Sequence, residues 1–159
     1  MPTSYTIGAF AIIFDTKQHV LLCHRRDIDM WNLPGGGLKK QELPTEAAER
    51  ETLEETGLLI DIKHLVGVYR KSAKNDLTFI FLAKVTGGKI GPTDEADEIA
   101  YFAIDKIPHN TTPGQVECIH DALKQEKHPI FRRQTTPSAR RWLRMLTKRK
   151  KKKKRKSLI

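Results

Sequence analysis

Between Gly36 and Gly57 the chain reads Gly36-x5-Glu42-x7-Arg50-Glu51-Thr52-Leu53-Glu54-Glu55-Thr56-Gly57-Leu58, and no other stretch restricts the fold as much. The triplet Gly35-Gly36-Gly37 strips side chains from the approach and lets the backbone come close to another group. Pro34 stiffens the entry to that turn. Pro44 suits the first helical position, where an N–H would lack an intrahelical partner, and Gly57 suits the left-handed stop that ends a helix. The pattern therefore predicts a helix over residues 44 to 56, preceded by a glycine turn and followed by an apolar run from Leu58.

Helical spacing gathers charge. Glu51, Glu54 and Glu55 stand at i, i+3 and i+4 and share one face within roughly 100°. Like charges so placed repel, and Arg50 alone cannot balance three of them. The arrangement calls for a hard, oxygen-seeking divalent cation, Mg²⁺ or Mn²⁺. Arg50 precedes Glu54 by four residues, so its guanidinium fork can fix one carboxylate while the others hold metal. A solvated acidic helix would need neither the glycine triplet upstream, nor Glu42 midway, nor the glycine stop.

At these residues the chain resembles the Nudix hydrolase family, whose signature is Gly-x5-Glu-x7-Arg-Glu-apolar-x-Glu-Glu-x-Gly-apolar. All polar and glycine positions match; Thr52 departs from an apolar slot, and Leu43 stands at the helix cap where a Ser or Thr would accept a backbone N–H. The resemblance covers about residues 5 to 128 and implies an α/β/α sandwich with a mixed β-sheet. It also implies hydrolysis of a phosphoanhydride in a nucleoside diphosphate linked to another group, or in a nucleoside triphosphate. In that reading Glu54 and Glu55 are the principal metal ligands with the Gly36 carbonyl, Glu51 holds metal or takes the water's proton, Arg50 orients, and Glu42 and Gly37 belong to the turn. The acidic run Asp94-Glu95-Ala96-Asp97-Glu98 precedes an aromatic strand; by resemblance Glu98, or else Glu95, supplies a further carboxylate.

Outside the signature, Arg25 and Arg26 follow an apolar strand and are candidates for gripping phosphate. Trp31, Tyr69 and Tyr101 are candidates for stacking on a base, against the alternative that they pack in the core. Cys23 and Cys118 make no disulfide framework, Cys23 reads as a buried thiol, and no histidine is assigned to metal.

The 159 residues suffice for one domain with its own core. Strands are expected over Tyr5 to Phe14, Val20 to His24, Leu58 to Tyr69, Leu77 to Val85 and Ile99 to Ile104, with Arg70 to Asp76 a polar link and Gly87-Gly88 a turn. A second helix is expected over roughly Pro113 to Gln125. No apolar run is long enough for a transmembrane segment, and Met1 to Ser4 lack the basic start and apolar stretch of a signal peptide. Those features predict a cytoplasmic chain.

The net charge of +10 averages two unlike regions. Fourteen of the 29 Lys and Arg residues lie after Phe131, where there is no acid; the other fifteen face all nineteen Asp and Glu. The expected division is a hydrolase domain over 1–130 and a basic, partly disordered tail over 131–159. Ala139 to Thr147 can form a short basic amphipathic helix, and the nine consecutive cations from Lys148 to Lys156 repel one another. Residues 132–159 could hold RNA through phosphates, hold an anionic membrane surface with Trp142 as an anchor, or remain a solvated extension. Three functions stay open at this level: a small-nucleotide pyrophosphohydrolase, an RNA 5′-end pyrophosphohydrolase or decapping enzyme recruited by the tail, and a binding module that recognises nucleotide or RNA without turnover.

Overall fold

The computed structural model describes residues 4–71 and 74–158. Met1 to Thr3 of the N-terminal reading, and Ser72 and Ala73 of the polar link, lie outside the described residues.

The described residues form eight strands and three α-helices: β1 (Thr6–Ile13), β2 (Val20–Arg25), β3 (Trp31–Asn32), β4 (Gly35–Gly37), α1 (Pro44–Thr56), β5 (Leu58–Lys71), β6 (Asp76–Gly88), β7 (Ala96–Phe102), α2 (Pro113–Leu123), β8 (Ile130–Gln134) and α3 (Ala139–Ser157). A five-stranded sheet runs β4-β1-β6-β5-β8 and a three-stranded sheet runs β3-β2-β7. The larger sheet is mixed, since β1 is parallel to β6 and antiparallel to β4, while β5 is antiparallel to β6 and parallel to β8.

Strand alternation explains the layers. Along β1 and β6, Ile12 and Ile80 join one core cluster with Cys118 and Ile119 of α2, whereas Ala9 and Phe81 join another with Ala47 and Ala48 of α1. Neighbouring residues of a strand point to opposite faces, so α1 and α2 cover opposite sides of the sheet. With both faces covered, Ala11, Ile12 and Ile13 are all fully buried. The alanines of α1 let the helix lie close on β1, and that closeness brings its acidic face to β4. The expected mixed sheet between helices is what the fold shows.

Several expectations change. The glycine triplet expected as a turn is the strand β4, paired antiparallel with Gly8 to Phe10 of β1. β7 begins at Ala96, three residues before the expected start, because Glu98 and Ala96 take ladder positions opposite His24 and Arg25 of β2, with Asp97 in the irregularity between them. Gly87 and Gly88 are not a separate turn but the last rungs of β6, paired with Leu59 and Leu58. The boundary expected at residue 130 falls at the start of β8, whose Arg132 is held by Asp121 of α2 at 2.8 Å; Asp121 also accepts from the Tyr69 hydroxyl at 2.9 Å. Lastly, the basic segment is helical from Ala139 to Ser157, well past Thr147; its start is capped by Ser138, whose Oγ accepts from Arg141 N–H at 3.3 Å. Among the described residues, no helix is long and apolar enough to cross a membrane.

Candidate active site

The helix of the signature starts and stops as its sequence dictates. Leu43 cannot accept a backbone N–H, but the Glu46 carboxylate accepts from Leu43 N–H at 2.8 Å, completing the other half of a capping box. Gly57 ends the helix with φ of 79°, its N–H donating to Leu53 O at 2.9 Å; an added Cβ would lie 2.4 Å from Lys89 O, so both conformation and space require glycine. Thr52 is fully buried and satisfies its hydroxyl by donating to Ala48 O at 2.7 Å.

On the opposite, charged face, Arg50 is the hub. Its guanidinium makes a two-pronged contact with Glu42, from Nε at 2.6 Å and Nη2 at 2.9 Å, and Nη2 also donates to Gly37 O at 3.1 Å. Nη1 reaches Glu51 at 2.9 Å and Glu54 at 3.1 Å. The expected fork onto Glu54 is therefore directed at Glu42, and Glu54 receives a single bond. Glu42 also accepts from Lys39 N–H at 2.7 Å, so the carboxylate braces the turn before α1. The Arg50 fork and that N–H hold the Glu42 carboxyl down to about 2. The same partnership pushes the Arg50 guanidinium above its ordinary value.

Gly36 makes the cluster possible. A Cβ there would sit 2.7 Å from the carboxylate carbon of Glu51, so the Glu51 head group occupies the space a side chain would take. Glu51, Glu54 and Glu95 each offer a carboxylate oxygen, and the three lie within 4.8 Å of one another. Such an all-oxygen set suits Mg²⁺ or Mn²⁺, and its excess negative charge, only partly met by Arg50, fits a divalent ion.

Two expected members stand elsewhere. Of the two acidic residues left open, Glu95 joins this group and Glu98 lies outside it, at the β7 rung opposite His24. The cause is Thr93, whose hydroxyl donates to Glu55 O at 3.0 Å and accepts from Ala96 N–H at 3.1 Å, tying the segment before β7 to the end of α1. Nothing in the residue pattern marked Thr93. Glu55 also stands apart from the trio, accepting from Gly35 N–H at a long 3.4 Å. Burial first, then the charge of Glu51, push its carboxyl up to about 8.

Beside the cluster opens a cleft of about 420 Å³, lined by Glu55 and Glu95 together with Phe10, His24, Arg25 and Arg26. Arg25 is held by Asp27 through bonds of 2.7 and 2.6 Å, and Arg26 donates to Thr93 O at 2.7 Å. Both sequence-predicted arginines thus reach one cleft with the acidic helix. Trp31 does not: it is 7% exposed, packed edge-on against His24 and Phe102, and belongs to the core. Tyr69 is likewise buried. The aromatic ring lining the cleft is Phe10, unmarked in the sequence because it sits within the apolar β1 run. His24 was also missed; its Nδ1 lies 2.6 Å from Asp97 and its Nε2 3.0 Å from Asp29. Burial opposes its charged form, but the two carboxylates prevail and raise its pKa. Cys23 at the cleft floor is a buried free thiol, pushed up by burial.

The family model described as NUDIX domain matches residues 4–122. A Bacillus subtilis (strain 168) protein named "Putative 8-oxo-dGTP diphosphatase" is 34% identical over 118 residues, 74% of this chain and 79% of that protein. An ADP-ribose pyrophosphatase of Methanocaldococcus jannaschii is 31% identical over 60% of this chain and 61% of its own. An 8-oxo-dGDP phosphatase of Danio rerio is 36% identical over 80% of this chain, which spans only 40% of that protein. Among solved structures, a NUDIX hydrolase from Nitrosomonas europaea superposes with a TM-score of 0.73 at 22% identity, over 86% of this chain and 82% of its own, a likeness of fold. Motif, family model and relatives agree, and the chain belongs to the Nudix hydrolase family.

Proposed function

We propose that the protein is a divalent-metal-dependent pyrophosphohydrolase that cleaves a phosphoanhydride in a small nucleotide, either a nucleoside triphosphate or a nucleoside diphosphate derivative. The observation that carries this reading is the Glu51–Glu54–Glu95 trio at the edge of a cleft that its Glu95 lines together with Glu55, Arg25 and Arg26. A pyrophosphate brings several negative oxygens, and the cleft offers both partners it needs: guanidinium groups for its outer oxygens and carboxylates that would hold a neutralising cation.

Glu51, Glu54 and Glu95 would hold the metal, with the Gly36 backbone beside them. A divalent ion there supplies charge neutralisation at the phosphoanhydride and a lowered pKa for the attacking water. The protein's own groups do the rest. Arg50 keeps Glu51 and Glu54 from rotating away from each other, and Gly36 leaves room for the Glu51 head group. Glu55, in the cleft but outside the trio, would take the water's proton in its ionised form, which a cation held by the neighbouring carboxylates would favour against the burial that raises its pKa. Arg25 and Arg26, each anchored to the protein, would orient the substrate phosphates without first having to be ordered. Relatives named for 8-oxo-dGTP, 8-oxo-dGDP and ADP-ribose support a small nucleotide over an RNA end.

The test is product release in Mg²⁺ from a panel of 8-oxo-dGTP, ordinary nucleoside triphosphates, ADP-ribose, nucleotide sugars, dinucleoside polyphosphates and 5′-triphosphorylated RNA. One class of small nucleotide should turn over, and Glu54→Gln should lower its kcat by about 10²-fold or more. Binding of a panel member with no turnover would leave a recognition module in place of the enzyme.

A further inference from the structure

The helix α3 is not used by this chemistry, yet it carries the strongest charge in the molecule. Its nine consecutive cations, Lys148 to Lys156, are all exposed. Among the described residues none of them is paired with a carboxylate, and the one ion pair made by α3 is Arg140 with Asp27 at 3.5 Å. Every acid of the chain lies at or before Glu126, so the charge is segregated in sequence as well as in space.

The distribution of this charge distinguishes its partners. Successive helical residues turn by about 100°, so nine in a row cover the whole circumference and leave no apolar side between Lys148 and Lys156. A helix lying in a membrane surface needs such a side over the charged stretch. The apolar residues of α3 are upstream, and Trp142, the natural membrane anchor, is committed to the body: its indole N–H donates to His109 O at 2.8 Å, and Arg149 lies 5.8 Å from its ring centroid. A cylinder charged on every side is instead complementary to a groove with phosphates on both walls. The major groove of duplex DNA, about 12 Å wide, admits an α-helix, and that of an A-form RNA duplex does not. The seven lysines and two arginines of the block, charged on every side, face phosphates on both walls of such a groove, and phosphate contacts carry no sequence information.

We infer that α3 is a sequence-independent docking helix for double-stranded DNA, held by its phosphates through Lys148–Lys156. The first turns, tied to the body by Arg140 and Trp142, fix the helix to the protein while the basic end projects. This inference does not depend on turnover in the cleft.

The experiment titrates the full chain onto two labelled duplex DNAs of unrelated sequence, a single-stranded RNA of the same length, and vesicles of phosphatidylserine in phosphatidylcholine. If about five cations reach phosphates, log K should fall against log salt with a slope of about −4.5, roughly a 500-fold loss between 50 and 200 mM. The two duplexes should bind alike and more tightly than RNA or vesicles. Replacing Lys151, Lys152, Lys153 and Lys154 by Gln should keep the helix by circular dichroism, weaken duplex binding about tenfold or more and reduce the slope by about 2. Turnover of the nucleotide substrate should be unchanged in that variant, which separates this inference from the catalytic one. Preference for vesicles or single-stranded RNA, absence of salt-dependent duplex binding, or an unchanged slope in the four-Gln variant would each overturn it.

Discussion

Helices α1 and α3 are both dense in one sign of charge, and they organise it in opposite ways. In α1 every carboxylate of the charged face has an assigned place: Arg50 touches Glu51 and Glu54 while gripping Glu42, and Glu51 rests where a Gly36 side chain would be. In α3 the cations project from the surface, and among the described residues only Arg140 meets a carboxylate. Repulsion has the same physical origin in both, but α1 offsets it with a guanidinium and α3 relieves it with solvent and spacing. It follows that α1 acts through position, so that single atoms matter, whereas α3 acts through a sum in which no one lysine matters much.

The largest effect that tests this contrast comes from one methyl group. Gly36→Ala places Cβ 2.7 Å from the Glu51 carboxylate and must push it out of the trio. Gly36 has no positive φ, unlike Gly35 and Gly57, so alanine fits its backbone. Steady-state kinetics should show kcat lower by about 10²-fold, the cost of misplacing a reacting group by about 1 Å, while the melting temperature barely moves. Lys151→Ala should leave kcat alone. Full activity in Gly36→Ala would mean that the carboxylates tolerate displacement, and the distinction between the two helices would collapse.

A smaller effect separates paired from unpaired charge by pH. Glu42 is held down to about 2, against an ordinary 4.5, chiefly by the Arg50 fork. A carboxyl lowered on folding contributes stability that is complete above 4.5 and is lost as pH falls toward 2. Denaturation midpoints measured across that window should fall less steeply for Glu42→Gln than for the wild type, the two curves converging at the acid end. Neutralising cations in the 148–156 block should leave that bend in place, because the Glu42 carboxylate is held by Arg50 and by none of them. Parallel curves for Glu42→Gln and the wild type would show that the Arg50 contact does not set the Glu42 carboxyl.

The same contrast explains what could be read from the sequence. The helix over 44 to 56 matches α1 to the residue because Pro44 and Gly57 are local punctuation, and β2, β5 and β6 were visible as apolar runs. Helical spacing marks Glu51, Glu54 and Glu55 alike, yet only the first two share the trio with Glu95, because spacing does not say which carboxylate is buried or which loop returns. Glu95 rather than Glu98 enters the trio because Thr93 bonds to the end of α1, a contact 38 residues apart in sequence. Trp31 looked like a stacking residue beside a site, and burial against Phe102 makes it core. The strand β8 is short, carries two arginines and pairs in parallel with β5, so its signal is tertiary; Arg132 belongs to α2 through Asp121 and not to a tail.

The smallest expected effect concerns the packed side of α1. Thr52 fills a slot where the family signature is apolar, and it is fully buried, yet its hydroxyl donates to a carbonyl one turn back. Thr52→Val keeps the shape and removes that bond. Ala48 O still has the helix ladder, so no buried acceptor is stranded. The lost hydrogen bond and the gained apolar burial should nearly cancel, leaving stability within about 1 kcal/mol and the melting temperature within about 2–4 °C. The charged side should not register the change, and kcat should match the wild type. A loss of activity with unchanged melting would instead show that the carboxylate geometry is transmitted through the buried side of the helix, making the positions of Glu51 and Glu54 a property of the whole packed helix and not only of Arg50 and Gly36.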